Sequence, residues 1–192
     1  MLAFTLILSM FACTSDNACE AISRGQQPVA SAAEIEADLR AVQGALYPEL
    51  DGVQISLTTL ESETDFFVSN LELATFEDPP LDRHYLVLYN PLLLDDPPPR
   101  DATVAILAHE LKHVQDYTEM DSAELADFAI WYATADIADY EHETDEASLE
   151  RGCGIGLIHY REWLYARISL EAATEKKRVY YTPEEIEAWM VD

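Results

Sequence analysis

Residues 105–117 read Ala-Ile-Leu-Ala-His-Glu-Leu-Lys-His-Val-Gln-Asp-Tyr, and within them His109, Glu110 and His113 form an HExxH pattern. Residues four apart on a helix share a face, with Cβ atoms about 6 Å apart, so two imidazoles at that spacing can grip one metal ion. Neutral imidazole nitrogen is a preferred ligand of zinc. Glu110 stands one step round from His109, so it can reach a metal-bound water without ligating the metal. Zinc lowers the pKa of such a water to about 7, and a carboxylate can take its proton as the oxygen attacks a carbonyl. The spacing points to zinc-dependent hydrolysis of a peptide bond, with His109 and His113 as ligands and Glu110 as general base. The apolar Val104, Ile106, Leu107, Leu111 and Val114 around the motif suit a buried active-site helix.

A tetrahedral catalytic site needs a third protein ligand and one open position. The other histidines are His84, His142 and His159, and no HExxHxxGxxH extension follows His113. The acidic run 140–147 contains Glu141 and Asp145 as Glu-x-x-x-Asp, starting 28 residues after His113 on a separate predicted helix. In so acidic a chain, a solvated charge run explains those residues almost as well. Their position on the next helical element after HExxH favours the ligand reading, with Glu143 competing for the third place.

HExxH followed by Glu-x-x-x-Asp resembles the gluzincin metallopeptidases, with local likeness to the HtpX and CAAX-prenyl-protease group over roughly residues 104–161. The resemblance implies a zincin-like fold, a Zn2+ cofactor, His109, His113 and Glu141 as ligands, and Glu110 as base. It also implies that Asp145 orients a ligand imidazole, which is sensible because a carboxylate on the far ring nitrogen fixes the tautomer. In such folds a strand preceding the HExxH helix edges the cleft and binds extended peptide by β-augmentation; here that would be residues 85–89. A donor for the oxyanion is needed too, and His159, Tyr160 and Arg161 are candidates. Tyr160 reads equally as core and Arg161 as the partner of an acid. Asp116, one turn beyond His113, is a further candidate to hold an imidazole, against the plainer reading of an exposed helix-end carboxylate.

The elements that must position these residues form an α+β arrangement, a small sheet followed by a helical bundle. Ser31 and Glu34 read as a capping box opening a helix to about Tyr47, with Ile35, Leu39, Val42 and Leu46 as its apolar face. Alternation at residues 53–57 and the apolar run 85–89 predict strands, and the acidic segment 61–82 between them reads as loop. Asp101 is the expected N-cap of the HExxH helix. A helix from Ser122 to about Tyr140 is expected to continue, bent or broken, to Arg151. Gly152, Gly154 and Gly156 then interrupt the pattern before a long helix over residues 157–174. Thr182 and Glu185 read as a second capping box, opening a short last helix.

Eleven uncharged residues, 2–12, are too short to span about 30 Å of hydrocarbon but fit the apolar core of a secretory signal. With Cys13 after Ala12, the segment resembles a bacterial lipoprotein signal. That divides the chain into a signal peptide at 1–13 with Cys13 lipidated, a polar spacer at 14–29 and a catalytic domain at 30–192. With Cys13 carrying lipid, Cys19 and Cys153 remain as one possible disulfide; plain cleavage with unpaired thiols is the alternative. The expected location is the periplasm or outer membrane, with membrane contact only through the lipid.

The 11 Lys and Arg against 37 Asp and Glu give a net charge of −26, which argues against nucleic-acid binding and a polybasic membrane patch. The favoured reading is an exported zinc metalloendopeptidase acting on a peptide or protein substrate. The alternatives are a zinc-binding protein of the same fold without turnover, and an acidic interaction lipoprotein of the cell envelope in which HExxH is coincidence.

Overall fold

The structure, a computed structural model, describes residues 18–191. The expected signal segment and Cys13 lie outside the described residues. Architecture is α+β, and no helix among the described residues is long and apolar enough to cross a membrane.

Helix α1, Ala18–Ser23, lies inside the stretch read as spacer and packs on α2 and α3, and a disulfide joins its Cys19 to Cys153. Helix α2, Ala32–Leu46, starts at Ser31, whose hydroxyl accepts from the Glu34 N–H. Glu34 reaches back to the Ala30 N–H at 2.6 Å, one residue beyond the cap residue Ser31. Ile35, Leu39, Val42 and Leu46 are buried as their spacing demands.

Three strands follow: β1, Gln54–Thr59, β2, Phe67–Leu71, and β3, His84–Tyr89. The order is β1-β3-β2, with β1 parallel and β2 antiparallel to β3. Two expectations are corrected here. The acidic segment is not loop throughout: β2 forms inside it, because Phe67 and Ser69 turn inward at the strand period while charged residues occupy its approaches. Residues 85–89 do not edge the cleft either. Tyr85, Val87 and Tyr89 are buried and the alternate Leu86 and Leu88 half-buried, so both faces are covered and β3 is the central strand. The edge strand on the side of the HExxH helix is β2.

Helix α3, Arg100–Thr118, carries HExxH through the middle of the core, against α2, α5, α6 and β2. Its N-cap is Pro99 rather than Asp101: the extended Pro99 turns its carbonyl onto the Thr103 N–H at 3.2 Å, and Asp101 sits in the first turn, where an acid favours the helix dipole. The following pattern breaks at residues 135–137 into α4, Ser122–Thr134, and α5, Ala138–Glu150. Gly152, at φ +76°, closes α5: its N–H bonds to the Leu149 carbonyl, and the Cys153 N–H to that of Ser148, a Schellman closure.

Gly154 and Gly156 are not breakers but part of α6, Gly154–Tyr165. A Cβ on Gly156 would stand 2.4 Å from the Asp101 carbonyl oxygen, so the missing side chain is what lets α6 lie directly on α3. The single helix expected over 157–174 is two, because Ser169 caps a fresh start for α7, Leu170–Val179. Helix α8, Pro183–Trp189, opens on the expected capping box of Thr182 and Glu185.

Candidate metal centre

His109 and His113 lie one turn apart on α3, 2% and 6% exposed, and Glu141 of α5 comes up beneath them with no exposure at all. The two Nε2 atoms are 3.2 Å apart, and Glu141 Oε2 is 3.2 Å from that of His109 and 3.5 Å from that of His113. Tetrahedral ligands about 2.0–2.1 Å from zinc would be about 3.3 Å from one another. Among the described residues, this is the group of three side chains whose ligand atoms could share one ion.

The outer hydrogen bonds decide what those atoms present to one another. His109 Nδ1 donates to Asp145 Oδ1 at 2.8 Å, an ionised carboxylate being able only to accept. His113 Nδ1 lies 2.9 Å from the Tyr140 hydroxyl, which spends its own proton on Asp116 Oδ2 at 3.2 Å and so accepts from the imidazole. In the neutral ring each Nε2 is therefore a bare lone pair. Glu141 Oε1 takes the Tyr132 hydroxyl proton at 2.5 Å, while the buried Oε2 has no hydrogen-bond donor. Three acceptors converge with no donor between them, an arrangement that calls for a positive charge at their common point.

The electrostatics show the same pull on positive charge. Burial works against a charged His109, yet Asp145 and Glu141 outweigh it and push its pKa up to about 9, so in the metal-free protein a proton on this imidazole supplies the charge that an ion would supply when bound. Burial likewise pushes Glu141 up, and the two imidazoles outweigh it and hold the carboxylate ionised, far below its ordinary range. Burial, reinforced by nearby carboxylates, raises Tyr132 and Tyr140 well above 10, so both hydroxyls stay protonated.

Glu110 points to the neighbouring space. Its Oε2 accepts from the Ser69 hydroxyl of β2 at 2.8 Å, and the same hydroxyl lies 2.7 Å from the Glu110 carbonyl. A cleft of about 260 Å³ opens there, lined among others by Phe67, Ser69, Glu110, His113, Tyr132 and Tyr180. A chamber of about 20 Å³, room for one water, adjoins it between Glu110, Tyr160 and Arg161.

The candidates from sequence divide as follows. His109, His113, Glu141, Glu110 and Asp145 come together. Glu143 is exposed and away from the cluster. His159 is not at the site: it pairs with Asp101 at 2.7 Å, eight residues before His109, about 12 Å along the α3 axis. Arg161 is beside the site but committed elsewhere, its Nη2 bonding both Asp145 oxygens at 2.9 and 3.1 Å. Tyr160 is buried and borders the small chamber. Asp116 holds an imidazole only through Tyr140. Sequence reading missed Ser69, Tyr132, Tyr140 and Tyr180. Tyrosines and a strand serine carry the signature of core and sheet, and Tyr132 and Tyr140 stand eight residues apart on two sides of a helix break, so no local signal joined them.

No protein-family model, curated protein or solved structure matches this chain. The likeness to gluzincins rests on the residues alone.

Proposed function

We propose that the chain is a zinc-dependent metallopeptidase of zincin type, exported and anchored through lipid on Cys13. The observation that carries the reading is the convergence of two imidazole nitrogens and one carboxylate oxygen, with no donor from outside the three reaching that oxygen, one residue from a carboxylate that faces a cleft. A donor set of two His and one Glu with an open side is the kind used by catalytic zinc. Bound there, zinc would supply Lewis acidity and bring the pKa of a coordinated water to about 7.

The chain's own residues do the rest. Glu110, held by Ser69, accepts the proton of the attacking water and is placed to return it to the leaving amine. Asp145 keeps the proton of His109 on Nδ1, and Tyr140 does the same for His113. Phe67, Tyr132 and Tyr180 wall the cleft with rings that exclude water and suit an apolar side chain of a peptide.

The test is elemental analysis of the full chain together with hydrolysis of a fluorogenic peptide library, on wild type, Glu110→Gln and the His109→Ala, His113→Ala variant. About one zinc per chain is expected in wild type and in Glu110→Gln, lost in the double histidine variant, with hydrolysis in wild type only. Full activity in Glu110→Gln would refute the mechanism. Zinc without hydrolysis in wild type would leave the binding protein without turnover, and no zinc would leave HExxH a coincidence.

A further inference from the structure

Two of the three candidate ligands are held from outside by tyrosine hydroxyls, and both tyrosines meet on one surface helix. Tyr132 of α4 donates to Glu141 Oε1, and Tyr140 at the start of α5 accepts from His113. The Tyr140 ring is enclosed by three rings of α4: Phe128, Trp131 and Tyr132, with centroids 5.2, 5.9 and 6.0 Å away, all edge-on. These contacts fix where its hydroxyl stands.

Little about α4 serves the core. Leu125 is its one buried residue, while Ile130 and Trp131 are 65% and 41% exposed. Its start is made secure by other means: the capping box of Asp121 and Glu124, and the buried Arg83, which donates to the Met120 carbonyl and the Ser122 hydroxyl. A helix so fastened, with so little apolar burial of its own, has its inward polar and aromatic atoms aimed at the ligands.

We propose that α4 is a strap that positions the metal ligands, Tyr132 aiming the Glu141 carboxylate and Tyr140, wedged by the α4 rings, fixing the tautomer of His113. The inference rests on the metal reading above. With the Tyr140 hydroxyl in place the proton stays on Nδ1 and Nε2 is free to ligate. Without it, that proton faces an apolar ring and the opposite tautomer competes. With the Tyr132 hydroxyl in place one carboxylate oxygen is occupied, so the other is left for the ion. Partners of this kind typically account for 10–100-fold in metal affinity.

The experiment measures zinc affinity of the full chain by competition with a chromophoric chelator, and the visible spectrum of its cobalt(II) form. The variants are Tyr132→Phe and Tyr140→Phe, which keep every ring contact and delete only a hydroxyl, and Asp116→Asn, which keeps an acceptor for Tyr140. Each Phe variant is expected to bind zinc about 10–100-fold more weakly with an altered cobalt spectrum, and Asp116→Asn to stay closer to wild type. Thermal unfolding of the metal-free proteins separates positioning from folding: the Phe variants are expected to melt within a few degrees of wild type. Unchanged affinity and spectrum in both Phe variants would overturn the strap while leaving the metal site standing. A loss of affinity accompanied by collapse of the metal-free transition would overturn it too. A wild type that binds neither ion would overturn the metal reading itself.

Discussion

Replacing Asp145 with asparagine removes one charge and almost no volume, and the surrounding geometry lets its cost be worked out. The carboxylate is fully buried and accepts from His109 Nδ1 at 2.8 Å, from Arg161 Nη2 at 2.9 and 3.1 Å, and from the Tyr181 N–H at 3.0 Å. Burial pushes Asp145 up, but Arg161 and His109 outweigh it and hold the carboxyl below 3.8, so it is ionised at neutral pH. Asparagine offers one oxygen and an amide that is itself a donor, so at least one of the three donor groups must face a donor. Arg161, only 2% exposed, cannot shed its charge and is left without a counter-ion. Breaking a buried pair from one side costs about 3–5 kcal/mol. The Tyr180 and Tyr160 rings, 4.6 and 5.7 Å from the guanidinium carbon, face it in both proteins and leave that difference unchanged. A loss of about 3–5 kcal/mol in a chain of this size lowers Tm by about 6–20 °C. The assay is thermal unfolding by circular dichroism in excess chelator, so that metal binding does not contribute. Adding Arg161→Met to Asp145→Asn removes the stranded charge, and the double variant should melt above the single. A single variant within 2 °C of wild type, or a double variant whose losses simply add, would refute the account of Asp145 as counter-ion.

Three further substitutions probe what holds the site in place. Gly156→Ala would gain up to about 1 kcal/mol from helix propensity alone, yet its methyl meets the Asp101 backbone at 2.4 Å, so a net loss of about 1–3 kcal/mol in chemical denaturation is expected. A gain would mean α6 does not lie as close to α3 as described. Arg83→Met strands the carbonyls of Asp78 and Met120, while that of Phe76 keeps the Ser122 hydroxyl, and is expected to cost about 3 kcal/mol and to bring new proteolytic cleavage near Met120. Burial pushes Asp65 up, but Lys176 and the Ser62 and Thr64 hydroxyls outweigh it and hold the carboxyl below 3.8. The stabilisation is thus present above about pH 4 and lost as pH falls through the lowered value, so the Tm difference between wild type and Lys176→Met should shrink progressively as pH falls below about 4 and vanish once Asp65 is protonated in the folded state. A difference that persisted there would place the effect elsewhere.

The candidate ligands and base were legible because their signal is local. His109, Glu110 and His113 are set by helix periodicity alone, and Glu141 with Asp145 repeats that logic on α5, the second helix after theirs. Ser31, Thr182 and Glu185 were legible for the same reason, since caps act within one turn, whereas Asp101 falls inside the first turn and Pro99 takes the cap of α3. What failed was whatever depends on the far side of the chain. Gly156 reads as a breaker until α3 is known to lie against it. Strand β2 reads as acidic loop until β3 supplies the partner of Phe67 and Leu71. His159 looked like a site residue because only its distance in sequence was visible, and in the fold Asp101 takes it.

The outer ring of the site shows why chemistry of this kind is half hidden. A ligand must be a His, Cys, Asp or Glu, so its identity is constrained and its type stands out. The group that aims a ligand needs only one acceptor or donor at the right point, and here that is supplied by a carboxylate for His109, and by tyrosine hydroxyls for His113 and Glu141. Tyr132 and Tyr140 half-bury their rings among other aromatics and spend a single hydroxyl on the site, so composition and periodicity assign them to packing. Packing is also what makes them useful: a hydroxyl on a ring wedged between Phe128 and Trp131 has no freedom to leave the imidazole it holds. The rigidity of the candidate metal centre therefore comes from apolar contacts on its outer side, and a survey restricted to polar residues would find the ligands and miss what keeps them aligned.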